Sequence, residues 1–225
     1  MNKSFARVAI FLPIAVVAIN ARPAFAQQSS SVHGGVIESH NGLTVAAKPW
    51  TDPDDYNSLF PKKKSPLGAG VLAIQVAFRN DLDENVKVNL SRMQLILEPT
   101  SSPRLNLFAM TSEDVADAVR NPGIRNLPDA PKKSKAKGWG WRDKQWFKIK
   151  QITQESQPET EIVPPHRVLK GVLYFDLHGD FRLMDTAHLY IPDAVATHSN
   201  QQFLYFDMDL SQTSKALRKL THPSH

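Results

Sequence analysis

The chain has 225 residues, 41% of them hydrophobic, with 27 Lys and Arg against 22 Asp and Glu, and it has no cysteine. The missing cysteine excludes disulfides, thiolate zinc sites and cysteine nucleophiles, so the fold must stand on its core alone. A surplus of +5 over this length gives no global reason to expect nucleic-acid binding.

Lys3 and Arg7 precede an apolar run from Val8 to Ile19, and Ala24-Phe25-Ala26 precedes Gln27. A positive start, a short apolar stretch and an A-x-A site predict a secretory signal peptide over residues 1–26. The run is shorter than the ~20 residues a spanning helix needs, and no transmembrane span is expected in the mature chain. Residues 1–26 hold Lys3, Arg7 and Arg22 and no acid, so the other 199 residues carry 24 Lys and Arg against 22 Asp and Glu. The surplus falls to +2, and any basic surface must be local. The protein is expected to be periplasmic or secreted. Residues 27–34 would be a polar start, 35–210 one domain and 211–225 a tail.

Val36-Ile37-Glu38 and Leu43-Thr44-Val45-Ala46 flank His40-Asn41-Gly42, and Asn-Gly between short β-prone runs predicts a hairpin. A loop of about twenty residues rich in Pro, Gly and Asp follows, which is long for a compact domain. Within it, Asp52, Asp54 and Asp55 could supply oxygen ligands to calcium; the plainer reading is a solvated turn. Val71 to Asn80 is the clearest strand, with Leu72, Ile74, Val76 and Phe78 on one face at period two. Asp81 to Asn85 makes a turn. It mimics the first half of an EF-hand loop but lacks that loop's glycine and distal glutamate. Val86 to Leu90 alternates, and Met93, Leu95 and Leu97 continue the pattern in a third strand.

Thr111-Ser112-Glu113-Asp114 reads as a capped helix start, and the helix stops near Asn121-Pro122-Gly123. A long loop runs on through Lys132, Lys133, Lys135 and Lys137. Trp146, Lys148 and Lys150 then alternate with Phe147, Ile149 and Ile152, which reads as a strand over residues 145–152. Val168 to Leu177, Ala187 to Ile191 and Phe203 to Leu210 are further strands, and Ser211 onward is a short basic helix or a frayed end. Eight or so short strands with one small helix and long loops predict an all-β antiparallel β-sandwich, with a β-barrel as the alternative.

Two stretches carry a resemblance. One is GVLAIQVAFRNDLDENVKVNLSRMQLIL, residues 70–97; the other is PPHRVLKGVLYFDL, residues 164–177, followed by HLYIP at 188–192. They resemble a group of uncharacterised bacterial exported proteins with an immunoglobulin-like sandwich. The resemblance implies that fold and a role in extracytoplasmic binding, scaffolding or protein protection. It brings no catalytic motif and no cofactor.

Asp176, His178 and Asp180 alternate at a strand end, and with His166 or His188 they could bind zinc or act as acid and base. Turn chemistry alone also favours Asp and Gly there, so no metal ligand or catalytic residue is assigned. No Gly-x-Ser-x-Gly elbow and no Gly-rich phosphate loop is present. The candidate binding residues are Trp139, Trp141, Arg142, Lys144 and Trp146, where flat aromatic faces lie among cations. Packing inside the fold explains the same tryptophans. The expected function is a non-catalytic binding or interaction module of the cell envelope. Its partner would be an envelope protein or an anionic glycan, not nucleic acid. A metal-dependent hydrolase built on Asp176, His178 and Asp180, or a structural subunit of an exported assembly, are the alternatives.

Overall fold

The computed structural model describes residues 35–61, 64–99, 103–122, 141–203 and 205–221, with side chains unassigned at 141–143 and 218–221. The expected signal peptide, the start at 27–34, the lysine run at 132–137 and Trp139 lie outside the described residues. The strands are β1 (Val36–His40), β2 (Leu43–Pro49), β3 (Val71–Asn80), β4 (Val86–Lys87), β5 (Gln94–Leu97), β6 (Leu105–Phe108), β7 (Ile162–Val163), β8 (Val168–Asp176), β9 (Ala187–Ile191), β10 (Val195–Ala196) and β11 (Phe206–Asp209). The helices are α1 (Pro53–Leu59), α2 (Ser112–Arg120), α3 (Trp141–Ser156) and α4 (Ser214–Thr221).

The chain is mostly β, in three antiparallel sheets ordered β1-β2-β3-β8, β11-β9-β5-β6 and β10-β4-β7. None of the three closes on itself, which removes the barrel alternative. The β1–β2 hairpin turns at Asn41 and Gly42, both at positive φ (46° and 91°), as the Asn-Gly signal requires. Leu72, Ile74, Val76 and Phe78 of β3 are all buried and share one apolar cluster with Leu95, Leu97, Leu189, Ile191, Phe206 and Met208. The two four-stranded sheets therefore bury their alternating apolar positions in a common core.

The opposite face of β3 divides in two. Val71 and Ala73, with Val172 and Tyr174 of β8, form a second cluster with Trp50, Tyr56, Phe60, Val115, Val119 and Ile149. Helices α1, α2 and α3 thus cover one end of that face, which is why β3 begins apolar on both sides. Arg79, towards its other end, is exposed.

Asn80 ties the end of β3 to β7 and to the turn at 81–85. It is fully buried, its Nδ2 donates to the carbonyls of Glu84 and Val163, and its Oδ1 accepts from Leu82 N. The two four-stranded sheets are bridged at both edges: Asp207 N donates to Glu38 Oε2, and Met110 N donates to Tyr174 O. On the β8 edge, a Cβ at Gly171 would lie 2.4 Å from Pro158 N, so the connector after α3 crosses the strand there. Guarded edges of this kind oppose strand addition by another chain.

Three expectations need correction. Residues 145–152 are not a strand but the middle of α3. Trp146, Ile149 and Thr153 recur at helical spacing and face α2 and the sheet, and two-residue alternation in a short run does not distinguish that pattern. The loop after Pro49 is not structureless: Asp52 caps α1 by accepting from Asp54 N, Pro53 opens the helix, and Asp54 and Asp55 fill its first turn. The expected single helix is one of four among the described residues. The α2 start matches its reading, with a full capping box between Thr111 and Asp114. Among the described residues no helix is long and apolar enough to cross a membrane.

Candidate functional site

Of the five residues expected to bind, Trp139 lies outside the described residues, and Trp141 and Arg142 are placed only as backbone in the first turn of α3. Lys144 is exposed. Trp146 is half-buried and clasps α3 to α2: its Nε1 donates to Asp117 Oδ1 at 2.9 Å. Lys150 Nζ lies 5.4 Å from the centre of its ring and also donates to Glu113 Oε1. Phe147 meets the same ring edge-on at 5.0 Å and is 54% exposed. Packing therefore accounts for most of Trp146, and charge alternates with aromatic surface on the outer side of the helix.

The acidic clusters have local partners. Asp52 and Asp54 belong to the start of α1. Asp81 pairs with Arg79, and Asp83 with His166 at 2.9 Å. Asp176 Oδ1 accepts from His178 N, and Asp180 caps a 3-10 turn and binds Arg182 through both oxygens. The Arg182 guanidinium holds the Asp180 carboxyl below its ordinary range. His188 is on a different sheet, paired with Asp207 at 3.0 Å. Asp176, His178 and Asp180 thus shape a turn after β8, and neither His166 nor His188 has its recorded contacts there. Among the described residues no three His, Asp or Glu side chains are grouped to hold a metal.

What that turn builds is the floor of a cleft. Gly70, at φ 76°, accepts at its carbonyl from Leu177 N and Gly179 N. A Cβ at Gly70 would lie 2.3 Å from Gly179 N, so only glycine permits this approach of backbone to backbone. The chain before Gly70 is set by Ser65, whose Oγ accepts from Leu67 N, and by the 3-10 turn Leu67–Ala69. Across from it, α2 ends at Arg120.

Two adjoining cavities result. The larger, about 680 Å³, is lined by this glycine turn, by Asn57, Ser65, Leu67 and Phe181, and by the end of α2. The smaller, about 300 Å³, is lined by Ala116, Asn121, Gln145, Trp146 and Ile149. Lys64, Val119 and Arg120 line both. The described residues that line the two cavities include no Asp, Glu or His. Two cations at a junction, with amides and a hydroxyl to either side and apolar walls, form a surface for holding an anion.

Sequence reasoning pointed to Trp146, which lines the smaller cavity, and passed over Lys64, Arg120 and the glycine floor. Gly68-Ala69-Gly70 directly precedes β3, yet its partner at Gly179 lies more than a hundred residues away. No family model matches this chain, and no match is found among curated proteins or solved structures.

Proposed function

We propose that this protein is an exported, non-catalytic binding module of the cell envelope, built on an immunoglobulin-like β-sandwich, which holds its partner in the cleft along α2. The observation that carries the reading is the cleft's lining: Lys64 and Arg120 at the junction of both cavities, Trp146 on one wall, and no carboxylate among the described lining residues. Two packed four-stranded antiparallel sheets favour the sandwich type, and the leader pattern of residues 1–26 favours export. The helices on one sheet face serve to build the cleft, a role the small helix count read from sequence did not anticipate.

The test has two parts. Protein recovered from the periplasm or medium is expected to begin at Gln27 by N-terminal sequencing. Envelope extract passed over the immobilised protein is expected to leave a component that is lost when Lys64 and Arg120 are both changed to Glu. Equal retention by the charge-reversed protein would refute the cleft as the binding site.

A further inference from the structure

Resting on that reading, we infer that the cleft takes an acidic polysaccharide, with the carboxylate of an internal uronic-acid ring held by Lys64 and Arg120. The position of the cations carries the argument. They line both cavities, at the place where the two meet. A ligand whose charge sits there has room to extend to both sides, which suits an acidic ring within a chain.

The neutral polar groups agree. Asn57 and Ser65 line the larger cavity and Asn121 and Gln145 the smaller. Amides and hydroxyls on either side of the charge match sugar hydroxyls, which both donate and accept. Apolar walls from Leu67 and Phe181 on one side and Trp146 and Ile149 on the other suit the C–H faces of pyranose rings. The combined volume is within the range of ligand sites.

A compact phosphate fits less well. Phosphate cradles use backbone N–H groups aimed into the site. Here most donors of the glycine floor are engaged: Ala69 N donates to Pro66 O, Gly70 N to Leu67 O and Gly179 N to Gly70 O. Recognition of charge falls mainly to two side chains. Arg120 has five N–H donors, so a contact within the protein does not exhaust it.

Gly68 supplies a probe of the space itself. It lines the larger cavity, its φ is not in the left-handed region, and a Cβ added there meets nothing within 4 Å. Gly68→Leu therefore adds bulk beside the larger cavity, starting from open space.

The experiment is calorimetric titration of the mature protein with oligogalacturonate, with a neutral oligosaccharide of similar length, and with polyphosphate. Oligogalacturonate is expected to bind. Lys64→Ala and Arg120→Ala should each weaken it about tenfold, the scale of one charge-assisted hydrogen bond. Gly68→Leu should weaken it at least as much with an unchanged melting temperature. Lys215→Ala, exposed on α4 and outside the lining, should leave it unchanged. Equal binding of the neutral oligosaccharide would overturn the inference, as would polyphosphate binding of equal strength that ignores Gly68→Leu. If no acidic oligosaccharide binds while the envelope component still distinguishes the charge-reversed protein, the inference falls and the broader reading stands. If that distinction is also absent, both fall.

Discussion

Tyr56→Phe tests how the helical layer is fixed to the sheet beneath the cleft. Strand β2 ends its pairing at Pro49, opposite Ile74. The next N–H along β3, that of Ala73, would be left without a partner. Tyr56 on α1 supplies one: its phenol oxygen accepts from Ala73 N at 3.0 Å. Tyr56 and Ala73 are both 0% exposed. Phenylalanine keeps the ring, and with it the edge-on contact to Trp50 at 5.1 Å, but orphans a buried backbone donor. That costs about 1–3 kcal/mol, or a fall of roughly 3 to 10 °C in Tm for a domain of this size. Tyr174→Phe is the internal comparison. Its hydroxyl meets Ser156 Oγ at 2.8 Å, and that hydroxyl already donates to Thr153 O. Its loss leaves only a spare acceptor position, so the effect should be smaller, about 0.5–1.5 kcal/mol.

Both phenols also titrate high, because burial disfavours the phenolate. Above about pH 10 the unfolded tyrosine loses its proton while the folded one keeps it. The folded state then binds more protons, so stability is full below about pH 10 and falls as pH rises, until the folded phenol itself ionises. Each tyrosine contributes up to about 1.4 kcal/mol per pH unit. The deficit of Tyr56→Phe should therefore narrow by about that slope above pH 10. Urea midpoints followed by circular dichroism at pH 7, 10 and 11.5 give the measurement. A variant as stable as the parent at pH 7 would refute the capping role. A deficit that stays constant with pH would refute the buried neutral phenol.

Four further outcomes follow from the same structure. Thr153 on α3 is fully buried with no partner for Oγ1 among the described residues, so Thr153→Val should raise stability by about 1 kcal/mol in a urea melt; a loss would mean the hydroxyl is bonded. Gly70→Ala meets both a positive φ and backbone at 2.3 Å, and should cost roughly 2–4 kcal/mol and disrupt ligand binding in the cleft; a melting temperature equal to the parent's would contradict the close approach. Trp146→Phe removes the donor to Asp117 and should raise amide exchange along α3 while exchange in β3 stays protected; uniform exchange across both would contradict a local clasp. Glu84 accepts from Ser199 N and His198 N, and these bonds hold its carboxyl below the ordinary value. The stabilisation is present above about pH 4.3 and lost as pH falls through the lower folded pKa, so Glu84→Gln should be the less acid-sensitive protein in a titration from pH 5 to pH 2.

The sequence by itself determined those parts whose causes are local. The Asn41-Gly42 turn, the two faces of β3 and the capping box at Thr111 each lie within a few residues of the signal that predicts them. The Asp52-Pro53 start of α1 carried an equally local signal, and its acids drew attention to calcium instead. Residues 145–152 were different in kind. Their alternation fits a strand, and Trp146, Ile149 and Thr153 at the same time fit a helix face. The tertiary structure decided between them, because α2 and the outer face of the sheet offered an apolar surface that a helix could cover. It also decided the cleft. Lys64, Arg120, Trp146 and Gly179 converge only in the folded chain, where Gly179 N bonds Gly70 O and Trp146 Nε1 bonds Asp117, both remote in sequence. Short-range periodicity holds no trace of such contacts, since the free energy that makes them comes from surfaces buried together and not from any one segment.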